Sequence, residues 1–580
     1  MSSHQIVPPL LRVVAITIAT MIVASCGAPT VSPSPSSSAP AQAPTNEPSA
    51  SGSVAGGPVC DTSPNAPPAS ATPWWRDRVF YEVFVRSFAD SDGDGIGDLR
   101  GLTERLDYLN DGDPATTEDL GVTGLWLMPV AESPSYHGYD VTDYRSIETD
   151  YGTAEDFRAF MAAAEERGIA VIVDLVLNHT SIDHPWFRDA QRAGSPHQDW
   201  YVWSESPPTA GGPGGQPVWH QLADDRWYYG YFWEGMPDLN VANPALTTEL
   251  NDVARFWLEE MGVDGFRLDA ARHLIEDGPQ LENTPATFEW LRAFRSSVKT
   301  VDADALVLGE VWDTTSTAAR YVSEGSLDLA FEFGLAGALL GSVRLGDADT
   351  IANVQAEVTA TYPEGGYAAF LTNHDQNRTM DVLGRDPAAA GLAAALLLTN
   401  PGVPFIYYGE ELGLRGRKPD EEIRTPLPWT TDAPAYGFTT GEPWEPFAPD
   451  AEAVAVSLQS EDPASLLATY RTLIRLRGNH AGLRTGALTP IDASPRGVYA
   501  FLRHDSTETI AIIVNLGDEP VVDIALDLVA GPLCGTPSVE ALHGPPVLRA
   551  PQVTAAGGFD AYRPIDHLDP RQVVVIQLSP

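Results

Sequence analysis

Gly262-Val-Asp-Gly-Phe-Arg-Leu-Asp-Ala-Ala-Arg-His273 decides the fold of this chain. Val263–Leu268 has the composition of a strand, yet it carries Arg267 and runs straight into Asp269. An acid at the exit of a buried strand is costly to desolvate, so it needs a reason to be there. The pattern recurs twice. Glu310 follows Ala305-Leu306-Val307-Leu308-Gly309, and Asp375 ends Phe370-Leu371-Thr372-Asn373-His374-Asp375. Working outward, strand-like runs occur at Val79–Val85, Val122–Met128, Ile169–Leu177, Val263–Leu268, Ala305–Val311, Leu327–Phe331, Gly366–Leu371 and Val403–Tyr408. Helix-like stretches lie between most of them: Leu99–Leu109, Ala154–Arg167, Leu246–Met261, Thr287–Val298, Ala388–Leu398 and Pro463–Leu476. Eight strands alternating with helices predict an α/β fold, a (β/α)8 TIM barrel, with Asp269, Glu310 and Asp375 on the face where strands end.

One connection is too long for a loop. About sixty residues separate the third strand from the helix near Leu246, far above the usual length. They hold Trp186, Trp200, Trp203, Trp219, Trp227 and Trp233, six of the chain's 14 tryptophans. We expect a small inserted domain at 179–244, splitting the barrel into 73–178 and 245–480. From 481 to 580 short alternating runs such as Gly497–Leu502, Thr509–Val514 and Val573–Leu578 predict a C-terminal antiparallel β-sandwich domain.

At the other end, Arg12 precedes the apolar run Val13–Val23, the layout of a secretory signal over residues 1–25. Val23-Ala24-Ser25-Cys26 resembles a bacterial lipobox, which implies cleavage before Cys26 and lipid on its sulfur. Residues 26–72, rich in Pro, Ser, Ala and Thr, have the composition of a tether. The expectation is an extracytoplasmic protein, lipid-anchored at a bacterial cell membrane surface and monomeric. Export permits a Cys60–Cys534 disulfide, with two unrelated thiols as the alternative. Acids outnumber bases 79 to 35, a net charge of −44, which argues against nucleic acid as a partner.

Four motifs stand in order at strand ends, three of them built on the acids above: DLVLNH (Asp174–His179), GFRLDAARH (Gly265–His273), GEVW (Gly309–Trp312) and TNHD (Thr372–Asp375). With them the chain resembles the α-amylase superfamily of retaining glycoside hydrolases from Trp74 to Pro580. The resemblance implies that Asp269 is the nucleophile, Glu310 the acid/base and Asp375 the group that binds ring hydroxyls and steadies the transition state. Retention requires nucleophile and acid about 5–5.5 Å apart. Arg267 is expected to lower the Asp269 pKa, and the neighbouring aspartates to raise that of Glu310. His137, His179 and His374 match histidines that bind the sugar in the cleavage subsite, Tyr139 the aromatic beneath it, and Arg424 a further subsite arginine.

The resemblance also implies calcium. Asp90-Ser-Asp-Gly-Asp-Gly-Ile-Gly-Asp98 puts acids at alternate positions around glycines, as a calcium loop does. The implied ligands are Asp90, Asp92, Asp94, the Ile96 carbonyl and Asp98. A second calcium would take Asn178, Asp238 and the His273 carbonyl, with one further carboxylate unassigned. Met236-Pro-Asp-Leu-Asn240 is similar to the signature of a group intermediate between oligo-1,6-glucosidases and neopullulanases. Tyr136 stands where exo-acting α-glucosidases place an Asp, so Tyr136-His-Gly-Tyr139 suits endo attack on an α-glucan polysaccharide or oligosaccharide. The alternatives are an α-glucosidase or oligo-1,6-glucosidase, a transferase or trehalose synthase, and a non-catalytic glycan-binding lipoprotein.

Overall fold

The computed structural model describes residues 72–206, 211–212, 215–223, 226–546 and 548–579. The expectations for the signal segment, Cys26, the tether and Cys60 lie outside the described residues. Cys534 is disulfide-bonded.

Eight parallel strands close a barrel: β1 (Phe80–Val83), β2 (Gly124–Leu127), β3 (Ala170–Leu175), β4 (Gly265–Leu268), β5 (Leu306–Gly309), β6 (Leu329–Phe331), β7 (Tyr367–Ala369) and β8 (Val403–Tyr407). Each follows the last around the barrel, and β8 pairs back onto β1. Every strand residue is buried, because helices cover the outside and side chains fill the inside. Alternation sorts the two faces. Phe80, Trp126, Ile172, Leu306, Leu308, Phe331 and Phe405 make the interior cluster, with Phe80 and Phe405 stacked at 4.6 Å. Their neighbours Tyr81, Leu125, Leu127, Val171, Val173 and Val307 face the helices. Two residues on from Phe80 and Ile172, the same inward alternation delivers Glu82 and Asp174 to the C-terminal end of the barrel, and Asp174 is in register with Arg267. The hydrophobic interior thus ends in a charged layer.

The helices follow the expected pattern with local differences. Ala154–Glu166 starts with a capping box between Thr153 and Asp156. Pro244–Phe256 runs on as a π-turn, Trp257–Met261, and stops at Gly262, whose φ of 78° suits glycine. The stretch expected as one helix over Leu99–Leu109 is broken at Arg105 into Leu99–Glu104 and Leu106–Leu109. Leu102, Leu106 and Leu109 are all in the core on the two sides of the break.

The insertion after β3 holds a short helix, Pro185–Ala190, and a three-stranded sheet of Trp203–Ser204, Trp227–Tyr229 and Trp219–Gln221. Bridges between His179 and Asp238 and between Tyr201 and Leu239 close its base. Most of its tryptophans are structural: Trp203 stacks on Phe187, and Trp186 on Tyr144. Trp233, in contrast, is 49% exposed.

The C-terminal sheet has seven antiparallel strands. It folds into two layers through Ala487–Ser494, whose first part pairs with Val498–His504 and whose last three residues pair with Ala525–Leu528. Val498, Ala500, Ile513 and Ile576 from one layer and Leu526, Leu528 and Phe559 from the other share a core. The opposite face, including Phe501, Ile512 and Val575, belongs to the core that contains the barrel helices. Among the described residues, no helix is long and apolar enough to cross a membrane.

Candidate active site

Arg267 is fully buried and organises the barrel mouth. Its Nη1 donates to Asp174 Oδ1 and Asp269 Oδ1, both at 2.8 Å, and its Nη2 donates to Glu310 Oε2 at 2.7 Å. Its guanidinium lies over Trp126 at 5.2 Å. One cation therefore grips three carboxylates from adjacent strand ends. Ala270, with φ 47° and ψ 33°, turns the chain immediately after Asp269 and aims its N–H at Glu310 Oε2, 3.1 Å away. A left-handed alanine is uncommon, and such backbone is found where a site demands it. With two donors on Oε2, Oε1 is left as the oxygen of Glu310 that can carry a proton.

Burial pushes both Asp269 and Glu310 up to about 7, with Arg267 pulling each back down. Arg267 lowers the Asp269 pKa as expected, but it does not keep Asp269 below Glu310. The guanidinium touches both carboxylates, so it cannot separate them, and desolvation outweighs it for each. The two acids compete for protons near neutral pH, and Asp174 is raised to about 6 for the same reason, burial.

Asp375 is different. Its side chain is 33% exposed; Arg424 Nη2 donates to its Oδ1 at 3.0 Å, and Arg424 Nε to the His374 carbonyl at 3.0 Å. Burial raises its pKa, but His374 and Arg424 more than offset this and hold it at about 2. Arg424 is the permanent cation of the pair. Asp375 is thus ionised wherever the other two acids titrate.

His374 links the two halves. Its Nε2 meets the Tyr139 hydroxyl at 2.7 Å, and its Nδ1 meets Glu82 Oε1 at 2.5 Å. Tyr139 also donates to Asp174 at 3.1 Å and stacks on His374 at 5.5 Å. His137 stacks on Tyr139, with its Nδ1 receiving the Tyr139 N–H at 3.1 Å. His179 is buried, and its Nε2 has no hydrogen-bond partner among the described residues. Burial lowers its pKa to about 3, so it meets a ligand as a neutral imidazole. All nine residues expected around a sugar ring are therefore within one connected neighbourhood. Sequence reasoning did not single out Glu82 or Asp174, whose signal is the inward alternation of β1 and β3.

These features match a known family. The model of the alpha amylase catalytic domain covers residues 82–486. The chain belongs to the alpha-amylase family. It is 39% identical to alpha-amylase 3 of Dictyoglomus thermophilum over 77% of this chain and 85% of that one. It is 34% identical to a trehalose synthase of Thermus thermophilus over 76% of this chain, which spans half of that synthase's length. Among solved structures, an alpha-amylase from H. orenii shares 40% identity, covers 87% of this chain and 99% of its own, and superposes with a TM-score of 0.75.

In this alpha-amylase family member two places have the oxygen chemistry of a cation site. Asp90, Asp92 and Asp98 bring ligand atoms within 4.8 Å of one another. Asp94 stands outside that trio, with its Oδ1 accepting the Ile96 N–H at 2.8 Å. At the seam of the insertion, Asp238 is 3% exposed, and its Oδ2 has no hydrogen-bond partner among the described residues. Burial and the charge of Glu276 raise its pKa well above the carboxylate range. Glu276, raised to about 7 by burial, shares this seam, and the Tyr229 hydroxyl lies beside both. Among the described residues neither acid has an ion-pair partner. Glu276 is thus a second buried carboxylate at this seam, one that the sequence did not single out. Its position three residues after His273 was the available signal.

Proposed function

We propose that this protein is an extracytoplasmic, lipid-anchored α-amylase that hydrolyses internal α-1,4-glucosidic bonds of starch, glycogen or maltodextrins with retention of configuration. The observation that carries the reading is Arg267, which holds Asp269 by one nitrogen and Glu310 by the other, while Arg424 fixes an ionised Asp375 beside them. Asp269 attacks the anomeric carbon and the bond to the leaving oxygen breaks. Glu310 delivers its proton from Oε1 to that oxygen, then takes one from the water that releases the glycosyl group. Asp269 must be ionised and Glu310 protonated. With both near 7, one proton shared between them supplies that state around neutral pH. Asp375 stays anionic and stabilises the positive charge that develops on the sugar.

The rim supports attack on a chain. The large exposed aromatics among the described residues, Phe232 (42%), Trp233 and Trp312 (44%), come from the insertion and the segment after Glu310, where sugar faces can stack. Phe232 sits on His179 at 5.2 Å, and Trp312 is backed by Phe333 at 4.5 Å. Tyr136 favours endo over exo action. The trehalose synthase relative keeps glycosyl transfer or isomerisation as the second reading.

Calcium is the cation proposed for both oxygen sites. Asp90, Asp92 and Asp98 would hold one ion; Asn178, Asp238, Glu276 and the His273 carbonyl would hold the other. Both would brace loops rather than take part in bond cleavage. The lipid would sit on Cys26. Digestion of an end-blocked maltoheptaoside tests the substrate reading: internal products support it, and an uncut substrate refutes endo action.

A further inference from the structure

The Asp90–Asp98 loop is packed against a second loop with no room to spare. Asp90 N–H donates to the Phe438 carbonyl, and Trp444 N–H to the Gly95 carbonyl, both at 2.9 Å; the Thr439 hydroxyl donates to Asp90 Oδ2. A Cβ on Gly95 would fall 1.9 Å from the Glu442 carbonyl oxygen, and one on Gly441 2.3 Å from that of Gly93. The two backbones therefore move together.

Trp444, at the end of the second loop, points two ways into the site. Its ring stacks on Tyr136 at 5.3 Å and 25°, and the Arg424 guanidinium lies 5.9 Å from the centre of the Tyr136 ring. Its indole N–H donates to Ser87 Oγ at 3.0 Å, and that hydroxyl donates to the Arg424 carbonyl. Arg424 in turn holds Asp375 and the His374 carbonyl. Both of these routes pass through the Trp444 side chain, beside the backbone path in which Gly97 and Asp98 bond Arg86 and Ala89 on either side of Ser87.

We propose that Trp444 is a positioning residue that transmits the order of the Asp90–Asp98 loop to Arg424 and Asp375, so that a cation held by the loop sets transition-state binding in the cleft. This rests on the roles given above to Asp375 and to the loop. Stacking alone would be kept by Trp444→Phe, which lacks the N–H; Trp444→Leu removes both routes.

The test compares chelated and Ca2+-reloaded protein, wild type and Trp444→Leu. Ca2+ should raise the melting temperature of both, because the loop's ligands are intact in both. It should change the near-ultraviolet circular dichroism of the wild type, with most of that change missing in Trp444→Leu. On maltoheptaose, reloading should restore wild-type kcat/KM at least tenfold, mainly through kcat. Trp444→Leu should stay at least tenfold low at saturating Ca2+, with Trp444→Phe between them. The proposal is overturned if Trp444→Leu recovers with Ca2+ as fully as wild type, or if Ca2+ leaves the wild-type aromatic signal unchanged. If the wild type cleaves no α-glucan yet shows the Trp444-dependent signal, the coupling stands and the substrate reading falls.

Discussion

Replacing Asp269 with Asn should abolish turnover and at the same time stabilise the protein at alkaline pH. Burial raises the Asp269 carboxyl to about 7 from an ordinary 3.8. A group whose pKa is raised in the folded state stabilises fully below its unfolded pKa, and that stability is lost as pH rises through the folded value. Over about three pH units this amounts to about 4 kcal/mol at most, from 1.36 kcal/mol per unit. The amide of the variant would stay neutral at every pH. Arg267 would keep Asp174 and Glu310 as partners, so no uncompensated cation is left behind. Allowing for a weaker amide contact, the net gain at pH 8 is about 1–3 kcal/mol, with little gain at pH 4. Thermal melts of wild type and Asp269→Asn at pH 4, 6 and 8 read this directly: the difference in Tm should grow with pH. Activity should fall on the order of 10⁴-fold or more, as when a nucleophile is removed. A variant that melts below wild type at pH 8, or by the same difference at every pH, would refute the claim that Asp269 is held against its desolvation cost.

Other outcomes follow from the same geometry. Arg424→Ala frees Asp375 from its permanent cation, so the Asp375 pKa should rise from about 2, as read by carbon-13 NMR titration of its carboxyl; an unmoved titration would show that Arg424 does not hold Asp375 down. Chelation should lower the melting temperature, and Asp92→Asn should weaken the response to added Ca2+; identical melts with and without chelator would leave the loop without a cation role. Arg477 donates to the Leu398, Asn400 and Gly402 carbonyls in the approach to β8 and, among the described residues, has no acidic partner. Arg477→Ala should therefore cost about 3–5 kcal/mol, as when several buried polar groups lose their partner, measured by chemical denaturation, with the Asp269–Glu310 arrangement intact at low denaturant.

The barrel was legible because each strand of a closed parallel sheet is buried on both faces and stays apolar along its length, as Leu306–Gly309 does. Its charged rim was legible only where an acid broke an apolar run. Glu82 escaped notice, and Asp174 was seen only as the start of the DLVLNH motif, because their inward direction depends on alternation from Phe80 and Ile172. Glu276 escaped because it lies on a loop whose course sequence does not dictate. The expected difference in ionisation between Asp269 and Glu310 did not emerge, since no spacing in the sequence reveals that Arg267 reaches both.

The central claim is that Asp269, held by Arg267 opposite Glu310, supplies the oxygen that bonds the sugar in a covalent glycosyl-enzyme. A 5-fluoroglycosyl fluoride slows release of such an intermediate, and mass spectrometry of proteolytic peptides locates the label. The account predicts one added fluoroglycosyl mass on the peptide containing Asp269, with none on that containing Glu310. A label on Glu310, or full activity on maltodextrin with products of inverted configuration and no labelled peptide, would contradict it.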